Sequence, residues 1–405
     1  MKKRFWMLGM AVITLASCTQ NEVLDVPEGK KIIFEEFVEN NTRAFSDVTK
    51  NNLLAYWVQG YYTPYTTGTD GKPIFNFSSS KTILYEDAYS PSSESKTDEM
   101  YMSGEILSID SETKINTIKW TYGVERHWIP GNLYRFAAYS NGNSYIPGVA
   151  YDPIEDKLTI PNYSVYDSSG NEEQSKDLVA SIAGDRTAES GVTSVQFSFK
   201  HLLSKVTIRL INASDNADVH FNNLKIANVI KTGSCVCEYD PITKPYPKNV
   251  QWSGESNEVF QLNTSTEVVH ESDEPTHVDL DFYFIPQSNE NKVLSLNLLQ
   301  EIAGEQLGNP EDLSFNLACN TTLPNNGATI SNQWVPGYHY RYIISKGDNF
   351  SKISFEVNVN EWVQDRDGNK EITDADNVVP SVPTPIPGQG ESQEGGQEDG
   401  QEEGQ

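Results

Sequence analysis

The sequence predicts an all-β protein: two similar β-sandwich domains in tandem, followed by a disordered acidic tail. Composition is the first observation behind this. The 405 residues include 27 glycines, 20 prolines and 20 tyrosines, aromatics reach 11%, and no long Leu/Ala/Glu/Lys pattern of helical period occurs. Short strands bounded by turns favour that usage. The second observation is alternation with a period of two, as in Val195-Gln-Phe197-Ser-Phe199, Lys205–Leu210, Val278–Phe284 and Ile353–Val359. Such runs bury one face and wet the other, as packed antiparallel sheets do. The third is an internal repeat. Trp128-Ile-Pro-Gly-Asn-Leu-Tyr-Arg-Phe136 returns 206 residues later as Trp334-Val-Pro-Gly-Tyr-His-Tyr-Arg-Tyr342. Pro-Gly supplies a turn, because proline fixes φ near about −65° and glycine accepts positive φ. The aromatic alternation that follows makes a strand. Trp, Pro, Gly, Tyr and Arg all match at one offset, which marks two related β-domains.

Along the chain, residues 1–17 read as an export signal: Lys2-Lys3-Arg4, then an apolar run from Phe5 to Ala16. That run is too short for the ~20 residues that span a bilayer as a helix. Leu15-Ala-Ser-Cys18 is the bacterial lipobox pattern, in which Cys18 is acylated and becomes the mature N-terminus. Two or three acyl chains, at ~0.8 kcal/mol per buried CH₂, anchor a protein stably. Residues 18–43 follow as a propeptide with a first strand at Lys31–Val38, placing Ile33 and Phe37 on one face with Phe34 and Val38 out of strict phase. Thr42-Arg43-Ala44 then puts an arginine in a polar, turn-like segment with no acidic partner at helical spacing. The first domain is expected over 44–189 and the second over 190–362, with Gly184–Gly191 as a linker or loop. A single short helix is expected near Asp177–Ile182. From 363 to 405 the chain is polar, then Pro-rich (Pro380, Pro383, Pro385, Pro387), then a Gly/Gln/Glu repeat that buries nothing apolar.

Charge and motif content narrow the function classes. The net charge is −27, and loss of the leader's three cations takes it to −30; such a chain repels phosphate backbones, so nucleic acid is excluded as a partner. No phosphate-cradling Gly-rich loop, nucleophile elbow or zinc-spaced histidine pair occurs. Asp365-Arg-Asp367-Gly368 lacks the glycine and glutamate placement of a calcium loop. The reading is therefore not an enzyme, with no cofactor and no metal. His201 reads as a structural hydrogen-bonder at a strand end. Cys235, Cys237 and Cys319 remain in the mature chain; they read as buried thiols, with a bridge from one of the first two to Cys319 as the alternative.

Several runs in this order resemble the fimbrillin family, the type V pilus subunits of Bacteroidia. They are the lipobox, the first strand with Thr-Arg-Ala, Trp128-x-Pro-Gly with Tyr134-x-Phe-Ala-Ala-Tyr139, Asp177-Leu-Val-Ala180, and Phe197-x-Phe-x-His-Leu-Leu-Ser-Lys-Val206. Phe284-Ile-Pro-Gln287, Trp334-x-Pro-Gly and Val357-x-Val-x-x-Trp362 complete the set, over roughly residues 10–362. The resemblance implies transthyretin-like sandwich topology, a lipid anchor in the cell outer membrane, and exposure on an extracellular fimbrium. It implies cleavage between Arg43 and Ala44 by an arginine-specific protease. Loss of the first strand would open an apolar groove that a strand of another fimbrial subunit fills. One departure stands out: the C-terminal segment expected to donate that strand is proline-broken, which leaves Ile372–Val382 or the Val357–Trp362 region. Stalk, anchor and tip roles, and an adhesion target on a host or bacterial surface, stay open. The alternative is an outer-membrane lipoprotein that binds glycans on an aromatic platform, motivated by Tyr61-Tyr62-x-Pro-Tyr65 and seven tryptophans.

Overall fold

The computed structural model describes residues 31–38 and 53–361, apart from internal stretches of which 84–98 is the longest. Among the described residues every regular element is a β-strand. In chain order they are β1 (Ile33–Val38), β2 (Ala55–Pro64), β3 (Thr66–Thr67), β4 (Pro73–Ile74), β5 (Thr82–Ile83), β6 (Glu99–Ile109), β7 (Asn116–Thr121), β8 (Asn132–Ser140), β9 (Ala150–Asp152), β10 (Lys157–Ser164), β11 (Val179–Thr187) and β12 (Ser194–His201). There follow β13 (Ser204–Ala213), β14 (Asp218–Val229), β15 (Thr232–Tyr239), β16 (Pro247–Ser253), β17 (Glu258–Gln261), β18 (Thr266–Val268), β19 (Thr276–Phe284), β20 (Val293–Ile302), β21 (Glu305–Asn316), β22 (Thr321–Thr322), β23 (Thr329–Ile330), β24 (Tyr338–Gly347) and β25 (Ile353–Glu361).

The strands form four main sheets. The largest has the order β1-β12-β11-β8-β2-β6-β7, with β5 on β2. A second joins β16-β15-β10-β9, a third β19-β13-β24-β25, and a fourth β17-β14-β20-β21 with β18 on β14. Pairing within them is antiparallel except for two parallel ladders, β1 with β12 and β13 with β24. The helix expected near Asp177–Ile182 is instead the start of β11. Its residues pair with β8 on one side and β12 on the other, and they alternate between two cores, Val179 in one and Ala180 and Ile182 in the other. Ladder and burial override a weak local helical preference.

Pairing also runs across the division expected at 189/190. β11 and β12 stand on either side of it and share the first sheet, and the linker expected from Gly184 is strand as far as Thr187. The chain passes to the third sheet at Leu202-Leu203, between β12 and β13. The hairpin β15–β16, from the later half, completes the second sheet against β10 of the earlier half.

Two cores result. One is lined by Tyr56, Val58, Tyr134, Phe136, Val195, Phe197 and Phe199 of the largest sheet, with Ile32 and Phe34. The other begins on that sheet's opposite face with Trp57, Tyr139 and Ile182 and continues through the remaining three sheets. Strand β8 is therefore buried at every position, and the alternation of buried and wetted faces fails there because both its faces meet a core. The two Trp-x-Pro-Gly segments are built alike. Gly131 and Gly337 take φ of 75° and 74°. The hydroxyls of Tyr134 and Tyr340 accept the N–H of Ile129 and Val335 at 2.7 and 2.8 Å.

Candidate functional site

The first strand is the element whose chemistry stands out. β1 lies at the edge of the largest sheet and pairs in parallel with β12, from Ile33 opposite Ser194 to Val38 opposite Phe199. The register of β12 with β11 covers only Val179 opposite His201 and Ala180 opposite Lys200. Its ladder along Ser194–Phe199 is thus with β1.

The opposite edge of the sheet curls round to meet the same strand. Directly after β7, Tyr122 donates its hydroxyl to the Ile32 carbonyl at 2.5 Å, and the Ile32 N–H donates to the Arg126 carbonyl at 2.8 Å. Lys31 bridges to His127, and its ammonium stands 5.4 Å from the centre of the Tyr122 ring. β1 consequently closes the sheet around its aromatic core.

Ile32 and Phe34 point inward, at 0% and 1% exposure, while Ile33 is 44% exposed. The phase expected for this strand is corrected: its inward face carries Ile32 and Phe34, not Ile33. The doubled Ile32-Ile33 hid that phase in the sequence, since either isoleucine starts a period of two. Phe34 is a plug in an aromatic socket. Its ring meets Phe136 edge-on at 5.4 Å, Tyr122 edge-on at 5.9 Å, and lies parallel to Phe197 at 6.0 Å. Burial of a phenylalanine or isoleucine side chain contributes about 1.5–3 kcal/mol, and edge-to-face ring contacts add about 0.5–1.5 kcal/mol. Tyr122 was not foreseen as part of the site; it follows β7 without a pattern that ties it to β1. Cys18, Arg43 and Ala44, the residues predicted for acylation and cleavage, lie outside the described residues.

The ionisable clusters elsewhere are built into the packing. Arg135 pairs through Nε with Asp185 at 2.9 Å, stands 3.6 Å from Asp156, and donates to the Pro153 carbonyl. His201 bonds Asp177 through Nδ1 at 2.9 Å where the chain leaves β12, in the structural role the sequence suggested. Cys235, Cys237 and Cys319 are free and buried. The Cys235 and Cys237 sulfurs are 3.5 Å apart on one face of β15. Their mutual hydrogen bond and burial push the Cys235 thiol up, and burial pushes Cys319 up, so both are held as inert thiols. No group of three or more side chains suited to a metal occurs among the described residues. Of the tryptophans that suggested a sugar platform, Trp57, Trp128 and Trp334 are at most 3% exposed and sit in the cores.

The described residues thus form an all-β body whose largest sheet is closed at one edge by β1. The fimbrillin-like family model matches residues 87–362, and the chain belongs to that family. Its family is thus a fimbrial one. Among solved structures, it is similar to a fimbrial protein from Bacteroides vulgatus at 16% identity and a TM-score of 0.44, covering 82% of this chain and 99% of that one. A fimbrial assembly protein from Parabacteroides distasonis is similar at 13% identity and a TM-score of 0.38, covering 82% and 99%. No curated protein matches the chain.

Proposed function

We propose that this protein is a fimbrial subunit that assembles by donor-strand exchange, in which β1 is released and a strand of a neighbouring subunit takes its groove. The carrying observation is that β1 is an edge strand whose Phe34, with Ile32 just before the strand, nonetheless plugs the aromatic core. An element bonded on one side through its length is detachable, and its loss leaves unpaired N–H and C=O groups of β12 above an apolar floor. Another extended chain satisfies both needs at once, with backbone pairing for affinity and side-chain sockets for register. Head-to-tail repetition of such a contact gives a filament.

In this reading the precursor is exported and acylated at Cys18, and held on the outer membrane by that anchor. An arginine-specific protease cuts between Arg43 and Ala44. The cut severs β1 from the body of the protein; β1 then leaves with the propeptide. β25 pairs with β24 from Tyr338 opposite Glu361 to Lys346 opposite Ile353, so it is committed to its own sheet, and Ile372–Val382 becomes the donor. The mature subunit then takes part in surface adhesion within the fimbrium.

The experiment is limited digestion of the purified lipidated precursor with an arginine-specific protease, read as SDS-resistant ladders. Wild-type protein should ladder after digestion and Arg43→Ala protein should stay monomeric. Ladders from Arg43→Ala protein would falsify the maturation step.

A further inference from the structure

The two Trp-x-Pro-Gly turns share one build but not one setting. The later turn is seated within the chain, on the passage from β12 to β13. Its Gly337 N–H donates to the Leu203 carbonyl at 2.8 Å, and the Ser204 hydroxyl donates to the Val335 carbonyl at 2.8 Å. A Cβ on Gly337 would stand 3.6 Å from the His201 carbonyl oxygen. Val335 packs against the core there, and Val335, Pro336 and Gly337 are all half-buried. The earlier turn has no such seat. Ile129, Pro130 and Gly131 are all exposed, Ile129 by 46%, and a Cβ on Gly131 would meet nothing within 4 Å. Asn132, where the later copy has Tyr338, donates its amide to the Ile129 and Pro130 carbonyls at 3.3 Å, so the open turn is held in shape by its own chain. A lone exposed isoleucine is ordinary on a surface; here its counterpart shows what the same turn does when it is covered.

Strand registers place the open turn at one end of the molecule. β8 starts at Asn132, directly after it, and ends at Ser140 opposite Val179, which in turn lies opposite His201, where the chain leaves for the third sheet. The Ile129 turn is therefore at the end of the largest sheet away from the third. In the third sheet, β13 and β24 run side by side from Lys205 and His339 to Ala213 and Gly347, which mark its end away from the first. Two exposed apolar residues stand at that end. Val269 follows Val268, whose carbonyl accepts the Asn212 amide at 2.9 Å, and precedes His270, whose ring bonds the Ser214 carbonyl at 2.8 Å. Ile302 follows Glu301, which lies opposite Asp218, and the Asp218 carboxylate accepts the His270 N–H at 2.7 Å. Val269 is 54% exposed and Ile302 38%.

We infer that the Ile129-Pro130-Gly131 turn is a docking surface for a second copy of this chain, seated on that copy's end at Val269 and Ile302. Between copies it repeats the contact that Val335–Gly337 makes within one. Joining one end of a molecule to the other end of the next is a heterologous contact, which propagates as a filament when it does not close. The inference rests on the strand-exchange reading and adds to it a second contact between subunits. A three-residue turn buries far less than a stable interface needs, so the exchanged strand supplies the affinity and the turn fixes how adjacent subunits are oriented.

The test is cross-linking of the full, lipidated chain with a short bis-maleimide, at high concentration before protease digestion and again after it. The variants are Ile129→Cys and Val269→Cys, both at exposed positions, with unfolding midpoints confirming that they fold as wild type. The native Cys235, Cys237 and Cys319 are buried, and wild-type protein sets the background. Mixing the two variants should give at least about tenfold more covalent dimer than either variant alone, because docking raises the effective concentration of one thiol at the other. A dimer yield from the mixture no higher than from the single variants overturns the inference. Val259→Cys is the control, since Val259 is 47% exposed but lies on β17 opposite Ala227, towards the other end of β14. Mixed with Ile129→Cys it should stay at background, and a yield equal to that of Val269→Cys would equally overturn the inference. Laddering is read separately on the same samples. Ladders without the mixed dimer remove the docking turn and leave strand exchange, whereas the mixed dimer without ladders removes strand exchange and leaves the turn.

Discussion

His339, the residue beside Tyr340 in the repeated hairpin, is held in a defined state by its neighbours. The Thr207 hydroxyl donates its single hydrogen to Asp281, so at 2.7 Å from His339 Nε2 it can only accept, and Nε2 carries the proton. Burial first, then the cations Lys205, Arg341 and Arg209, hold the imidazole well below its usual range. The sign follows from linkage. The unfolded chain binds a proton near pH 6.5 while the folded one does not, so His339 contributes stability fully above about pH 6.5. That contribution is lost as pH falls from there towards the depressed folded value, with a slope of up to about 1.4 kcal/mol per pH unit. His339→Gln should flatten the pH dependence of the denaturant midpoint below pH 6.5. An unchanged slope would place the dependence on other groups. The two copies of the repeat also divide their unmet polar demands: Arg135 is paired with Asp185 while the equivalent Arg341 has an unpartnered Nε, and Trp334 is paired while Trp128 is not.

Among the elements, the hairpin β15–β16 is shaped by the close approach of two backbones. A Cβ on Gly233 would stand 2.4 Å from the Ser253 carbonyl oxygen, and one on Gly254 would stand 2.7 Å from the Thr232 carbonyl oxygen. Both contacts are with backbone, which cannot swing aside. Gly233→Ala must therefore part the two strands or tilt the hairpin, at about 1–3 kcal/mol. Thermal unfolding should show a midpoint lower by several degrees; an unchanged midpoint would mean that the hairpin shifts freely on β10. Much of this element level was legible beforehand. The alternations at Val195–Phe199, Lys205–Leu210 and Ile353–Val359 fall in β12, β13 and β25; in β12 and β13 the apolar positions of the alternation line a core. Both Pro-Gly turns were legible because proline and glycine act locally. Two readings failed for non-local reasons. β11 owes its extended form to ladders with β8 and β12, which Asp177–Ile182 does not encode by itself. The phase of β1 is decided by a core assembled from residues more than a hundred positions away, such as Phe136 and Phe197.

At the scale of the whole molecule, the repeat conceals an asymmetry that the sequence could not display. Each parallel ladder sets an earlier strand beside a later one: β1 with β12, and β13 with β24. The similarity of the two hairpins suggested a simple division of the chain, yet β12 stays with the first sheet and β15–β16 crosses back to β10. Such pairings come from register over long separations and leave no local trace. Their consequence is that the two ladders have unequal freedom. β13 is enclosed, bonded to β19 along Ser204–Asn212 and to β24 along Lys205–Ala213. Among the described residues, β1 is bonded along its length to β12 alone, and the chain just before it reaches the opposite edge around Lys31 and Ile32. Removing β13 would break two ladders and the third sheet, whereas removing β1 breaks one ladder and empties one socket. Opening of β1 should thus be a local event, well below the free energy of global unfolding, while β13 opens only with the whole. Hydrogen exchange on the uncut chain reads this directly. Backbone amides of Ile33–Val38 should exchange at least about a hundredfold faster than the slowest amides of Ser204–Ala213, because a local opening about 3 kcal/mol easier corresponds to that ratio. Equal protection in the two strands would show that β1 is as firmly held as β13, and the groove would then have no route to exchange its occupant before cleavage.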